Sequence, residues 1–214
     1  MNKEKWMKQL LERKIVAICR NIPVERIADT VEALYRGGIL FIEITFNQKE
    51  VPELTGKAIQ TAKKRMGDKI HIGAGTVFNI EQVDIAAQAG AEFMLSPHMD
   101  QNVIAHTKKI GCISVPGALT ATEITQAWKA GADIVKLFPA GNLATAYVKA
   151  IRAPINQIPL MAVGGINDKN LLSFMQAGVD CVGIGSNIVN EELINKGQYR
   201  ELEELVKTYT NLIK

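Results

Sequence analysis

A chain of 214 residues with 47% hydrophobic side chains is long enough to bury one full core, and it reads as a single domain over 1–214. Its 25 Lys and Arg stand against 22 Asp and Glu, a formal charge of +3 spread without a basic run or interleaved aromatics, which argues against nucleic acid as a partner. No apolar stretch approaches the roughly 20 residues of a membrane span, and the start, Met1-Asn2-Lys3-Glu4-Lys5-Trp6, lacks the apolar core of a signal peptide, so the expectation is a cytoplasmic protein with no membrane partner.

In chain order, residues 3–12 read as a helix ahead of the first strand, an extra element placed to cover one end of the fold. Apolar, β-rich runs follow near 15–20, 41–46, 71–77, 93–98, 112–117, 134–139, 159–165 and 181–187, with starts 19 to 30 residues apart. Between them the period turns helical, as with Val24, Ile27, Ala28, Val31, Leu34 and Tyr35, and Thr120-x-x-Glu123 offers a capping box. One unit recurs: an amphipathic helix, an Ala-Gly pair, then a strand, in 81–97, 122–139 and 169–185. The glycine suits the left-handed residue that ends a helix. From Ile188 onward the pattern is again helical.

Strict alternation of strand and helix implies parallel strands joined by right-handed crossovers. Eight such units predict a closed (β/α)8 TIM barrel with an extra N-terminal helix, compact at this length. Chemistry in such a barrel sits at the C-terminal ends of the strands. The only formal charges in the eight runs are Arg20, Glu43 and Lys136. Alternation sends Glu43 inward with Phe41 and Thr45, and Lys136 inward with Ile134 and Phe138. A lysine inside Ile134-Val135-Lys136-Leu137-Phe138-Pro139 has no structural reason to be there; desolvation lowers its pKa, and a neutral amine is a nucleophile toward ketones.

At the ends of strands 7 and 8 stand Val163-Gly164-Gly165 and Gly183-Ile184-Gly185-Ser186. Barrels often bind a phosphate with these two loops, because glycines let backbone N–H groups approach its oxygens and Ser186 adds a hydroxyl donor. Neither run is a GxGxxG fingerprint, so a sugar phosphate is expected and a nicotinamide is not. Cys19, Cys112 and Cys181 lie in apolar segments without CxxC spacing and read as core packing. No HExxH or other ligand cluster accompanies His71, His98 and His106, so no metal is expected.

Glu43-Ile44-Thr45-Phe46, Gly73-Ala74-Gly75-Thr76-Val77, Ser96-Pro97, Pro116-Gly117, Lys136-Leu137-Phe138-Pro139 and Gly164-Gly165 follow one another in an order that resembles the class I 2-keto-3-deoxy-6-phosphogluconate aldolases, a family that also cleaves 4-hydroxy-2-oxoglutarate, from about Ile15 to Ile188. The resemblance implies a (β/α)8 barrel, usually a homotrimer, that needs neither metal nor organic cofactor. It also implies that Lys136 forms the Schiff base and Glu43 is the general acid/base. Thr76 with the backbone around Gly75 would hold the pyruvyl carboxylate, and Thr45 belongs to the same substrate-binding set. Arg20 would help bind an anionic end, Pro97 and Phe138 would wall the pocket, and Gly164, Gly165, Gly185 and Ser186 would receive the phosphate.

Two positions depart from the pattern. Asn47 stands where some members carry an arginine, leaving carboxylate binding to groups such as Arg20, and Val163 replaces a threonine ahead of the glycine pair. An apolar residue at that place resembles the related 2-keto-3-deoxy-6-phosphogalactonate aldolases. The first expectation is therefore the gluconate substrate, with the galactonate as alternative. A phosphosugar isomerase or epimerase would share the phosphate loops without needing Lys136, and a non-catalytic sensor would need neither Lys136 nor Glu43.

Overall fold

A computed structural model describes residues 3–213. The strands are β1 (Ile15–Cys19), β2 (Phe41–Thr45), β3 (His71–Gly75), β4 (Phe93–Leu95), β5 (Ile113–Val115), β6 (Gly117–Ala118), β7 (Val135–Leu137), β8 (Leu160–Val163) and β9 (Cys181–Ile184). All pair in parallel, in the order β5-β4-β3-β2-β1-β9-β8-β7-β6. Because β5 and β6 are one stretch of chain interrupted only at Pro116, the ends of this order join through the backbone, and the sheet is an eight-staved barrel.

The interruption has a plain cause. Proline has no N–H to give to a ladder, yet its carbonyl still accepts the Lys136 N–H at 2.8 Å, so β7 stays in register beside it. Prolines also shorten the expected runs: β4 stops before Ser96-Pro97 and β7 before Phe138-Pro139. The helices behind the strands are as the periodicity requires. In α2 (Val24–Arg36) the buried set is Ile27, Thr30, Val31, Ala33 and Leu34. In α6 (Ala121–Lys129) the Thr120 hydroxyl accepts the Glu123 N–H at 3.2 Å while the Glu123 carboxylate accepts the Thr120 N–H at 2.8 Å, the reciprocal capping box. The glycines that close the three repeated units, Gly90, Gly131 and Gly178, have φ of 99°, 102° and 107°.

Two apolar layers result. Ile42, Ile44, Val135 and Leu137 face the helices, whereas Val16, Ile18, Phe41, Phe93, Leu95, Val115, Ile134, Met161 and Val163 fill the barrel. Helix α1 (Lys3–Arg13) buries Trp6 and Leu10 in that inner layer, with the Trp6 indole edge-on to Phe41 at 5.0 Å, and so plugs the N-terminal end of the strands. Cys19 and Cys181 are buried and Cys112 is half-buried; burial pushes the Cys19 thiol up to about 12, which suits packing and leaves it unreactive. Among the described residues no helix is long and apolar enough to cross a membrane.

On β3 the inner layer carries a side chain only at the plugged end, where the His71 ring stacks on Phe41. The inward positions that follow are Gly73 and Gly75, and a Cβ on Gly73 would run into the Phe93 ring. A Cβ on Gly75 would collide with the Glu43 carboxylate. The glycine face of β3 is thus the space into which a large ring, at the plugged end, and an acid, at the open end, are fitted.

Candidate active site

Lys136 and Glu43 lie on inward positions of β7 and β2, 5% and 1% exposed. Moving an ion of this size out of water costs several kcal/mol unless it is closely paired, and among the described residues the two form no ion pair at 4.0 Å or less. Burial accordingly holds the Lys136 amine below its ordinary pKa; Glu43 opposes that fall and Arg20 adds to it. Burial pushes the Glu43 carboxyl up, against the pull of Lys136 and then Arg20. Both shifts favour the uncharged forms, an amine able to attack a carbonyl and an acid able to give up a proton. Glu43 Oε2 finds no hydrogen-bond partner among the described residues, as suits an oxygen whose partner is a substrate atom.

Above this pair the barrel mouth opens into a cleft of about 540 Å³. Arg20, Phe138, Val163, Gly164, Gly165, Gly185 and Ser186 all line it. The Phe138 ring joins cleft and interior, since Lys136 Nζ stands 4.8 Å from its centroid. Gly164 and Gly165 have φ of 89° and 75°, a turn that side chains rarely permit. The turn is braced from behind: the Gly141 N–H donates to the Gly164 carbonyl at 2.6 Å, and a Cβ on Gly141 would stand 2.7 Å from that oxygen. Asn187 Nδ2 donates to the Ile166 carbonyl at 2.7 Å, tying the two glycine loops together.

The other expected residues are spread around this centre. Arg20 Nη2 donates to Thr76 Oγ1 at 3.3 Å, so the guanidinium at the end of β1 and the hydroxyl after β3 meet over the mouth. Gly75 makes room for Glu43, as described. Thr45 is buried at the end of β2, in register with Gly75. The Pro97 backbone packs against Gly117, where a Cβ would run into the Pro97 carbonyl oxygen and stand 2.9 Å from the His98 nitrogen. His98 stacks on Phe78 at 5.1 Å, His71 lies at the plugged end against Glu92 and Gln9 at 2.5 and 2.9 Å, and His106 pairs with Asp84 at 2.6 Å. Among the described residues no group of three or more His, Cys, Asp or Glu is arranged to hold a metal ion.

This geometry has counterparts. The family described as KDPG and KHG aldolase matches residues 7–205. The chain belongs to that family. It is an aldolase, a carbon–carbon lyase. Its relatives include the 2-dehydro-3-deoxy-6-phosphogalactonate aldolase of Escherichia coli, 31% identical over 200 residues that make up 93% of this chain and 96% of the relative. The 2-dehydro-3-deoxy-phosphogluconate aldolase of Treponema pallidum is 33% identical over 92% of each chain. Among solved structures, a KDPG aldolase from Legionella pneumophila, with pyruvate captured at low pH as a covalent carbinolamine intermediate, superposes with a TM-score of 0.84 at 28% identity, covering 92% of this chain and 94% of that one.

The aldolase cleft also contains residues to which the sequence reading gave no individual role. Ile18 and Gly183 continue the inward parity of β1 and β9, and a Cβ on Gly183 would stand 2.9 Å from Val163 Cγ2, so the small residue makes room for the valine. Strand parity alone would have found both. Glu191 lies beyond the last strand, where no periodicity points inward, and nothing in the sequence marks it as a cleft residue.

Proposed function

We propose that the aldolase cleaves 2-keto-3-deoxy-6-phosphogluconate to pyruvate and D-glyceraldehyde 3-phosphate through an imine on Lys136, and that it also accepts 4-hydroxy-2-oxoglutarate, giving pyruvate and glyoxylate. The observation that carries the reading is the pairing of a desolvated lysine with a desolvated glutamate on inward strand positions below a glycine-walled cleft. Neutral Lys136 attacks the C2 ketone, and a proton from Glu43 helps the hydroxyl leave as water. Glu43, now a carboxylate, takes the C4 hydroxyl proton. The C3–C4 electron pair moves into the iminium, the phosphorylated aldehyde departs, and an enamine remains. Glu43 returns that proton to C3, and addition of water to the resulting imine releases pyruvate and restores the amine.

Arg20 and Thr76 stand beside each other at the mouth, where the substrate carboxylate would be held, and Gly164, Gly165, Gly185 and Ser186 would receive the phosphate. The covalent pyruvate adduct of the Legionella relative supports an imine route that needs no metal or organic cofactor. A homotrimer is proposed on the family resemblance alone. A second reading, the galactonate epimer as substrate, is favoured by Val163, which offers the cleft no hydroxyl, and by the Escherichia coli relative.

The test is to incubate the protein with pyruvate and borohydride and map the reduced adduct by peptide mass spectrometry. An adduct on Lys136, absent in Lys136→Ala together with all turnover, is the expected result. An adduct elsewhere, or a Lys136→Ala variant with near-normal turnover, overturns the scheme.

A further inference from the structure

Thr76 follows β3 into the barrel mouth with φ of 57°, in the left-handed region that a β-branched residue rarely adopts. Such a backbone persists where its surroundings over-determine it. On one side Arg20 Nη2 holds the hydroxyl at 3.3 Å. On the other, Gln48 Nε2 donates to the Thr76 carbonyl at 3.0 Å, and Gln48 Oε1 in turn accepts Gln82 Nε2 at 3.0 Å. Gln82, 4% exposed, also accepts the Phe78 N–H at 2.7 Å on its Oε1. Its own N–H donates to the Asn79 side chain at 2.9 Å, the cap of helix α4 (Ile80–Gln88). A relay of side-chain amides therefore runs from the start of α4 through the loop after β2 to the carbonyl of the strained residue.

Neither glutamine lines the cleft. Neighbouring Asn47 is spent on its own loop, its side-chain oxygen accepting the Lys49 N–H at 3.1 Å. The carboxylate end of the site thus depends on Thr76 and Arg20, and the orientation of Thr76 depends on the relay. We infer that Gln48 and Gln82 are positioning residues that set the Thr76 turn to receive the substrate carboxylate. This rests on the proposed imine-forming function, and its effect falls on the pyruvyl half of the substrate and not on the phosphorylated half, which meets the opposite loops.

The experiment compares wild type with Gln48→Met, Gln82→Met and the double variant. It measures the pyruvate concentration that half-saturates borohydride trapping, and the KM of pyruvate and of glyceraldehyde 3-phosphate in the synthesis direction. Gln48 is exposed, so its replacement leaves the fold intact. Half-saturating pyruvate should rise about tenfold with the saturated trapping rate kept, the worth of about one hydrogen bond to the carboxylate. The KM of the aldehyde should stay put, and the double variant should be no worse than Gln48→Met, because one relay is cut only once. Trapping that half-saturates at the wild-type concentration in Gln48→Met, or a parallel rise in both KM values with a lowered Tm, overturns the positioning role. A wild-type protein that forms no imine with pyruvate overturns the imine reading and this inference together.

Discussion

The Glu43 carboxylate occupies the space in which a side chain on Gly75 would stand. Adjacent strands β2 and β3 thereby share one inward position, the acid filling it and the glycine yielding it. Gly75→Ala would push the Glu43 carboxylate aside while leaving the acid itself in place. Turnover should fall by about 10²-fold, the usual penalty for displacing a reacting group by an ångström. Combining it with Glu43→Asp, which shortens the acid by one methylene, should recover part of the loss relative to Gly75→Ala alone. Steady-state rates on the wild type and the two variants check this, and full activity in Gly75→Ala would show that the acid is not held by the glycine.

The charges around Lys136 give a second, signed prediction. Burial holds the amine low, Glu43 raises its pKa and Arg20 lowers it. Imine formation needs the neutral amine, so its rate falls on the acid side as Lys136 takes up a proton. Removing the Arg20 charge in Arg20→Met should raise the lysine pKa and move that acid limb to higher pH. Removing the Glu43 charge in Glu43→Gln should move it to lower pH. Initial trapping rates with pyruvate and borohydride across pH read both, and shifts in the same direction would contradict the arrangement.

Much of this architecture was legible in the residues. The alternation Phe41, Glu43, Thr45 against Ile42, Ile44, Phe46 fixes which face of β2 looks into the barrel, and a two-residue period leaves no other choice once that face is chosen. The same parity placed Lys136. What parity could not supply is contact between elements distant in sequence. The Gln48–Gln82 relay spans 34 residues and two loops, and glutamine in a loop carries no periodic signal. The close approach of Gly117 to the Pro97 backbone is another such contact between strand ends that parity does not announce. The break at Pro116 was a matter of hydrogen bonding, since a proline divides a run that reads as continuous by hydrophobicity alone.

In the proposed function the buried Lys136 serves chemistry at the expense of stability. The unfolded chain binds a proton on Lys136 up to its ordinary pKa of about 10.5, whereas the folded pKa lies lower. Between the two, unfolding takes up a proton, so the lysine's contribution to stability is lost as pH falls through that window. Lys136→Met keeps the volume and removes the proton, and should be inactive yet more stable by about 1 kcal/mol at neutral pH, in line with apolar replacement of other buried charges. Denaturant unfolding should show the gain shrinking as pH approaches 10.5. A variant less stable than wild type at pH 7 would mean that the ammonium is well solvated or paired in the folded protein.

Val163 bears on which epimer is turned over. Its side chain lines the cleft between Gly183 and the glycine turn, packed at 2.9 Å from where a Gly183 Cβ would be, and it presents methyl groups where threonine would present a hydroxyl. The two candidate substrates differ only in the direction of the C4 hydroxyl, which in the proposed mechanism is also the group that Glu43 deprotonates. A hydroxyl donor in the wall rewards the epimer that reaches it and leaves the other unpaired, an asymmetry larger than a methyl group can produce. Val163→Thr is close to isosteric, and should raise kcat/KM for 2-keto-3-deoxy-6-phosphogluconate relative to the galactonate by about 10-fold, the worth of one hydrogen bond of roughly 1.4 kcal/mol. Coupled assays of pyruvate release with each epimer decide it. If the ratio does not move, discrimination at C4 lies with Glu43 and the opposite wall of the mouth, and Val163 is only packing.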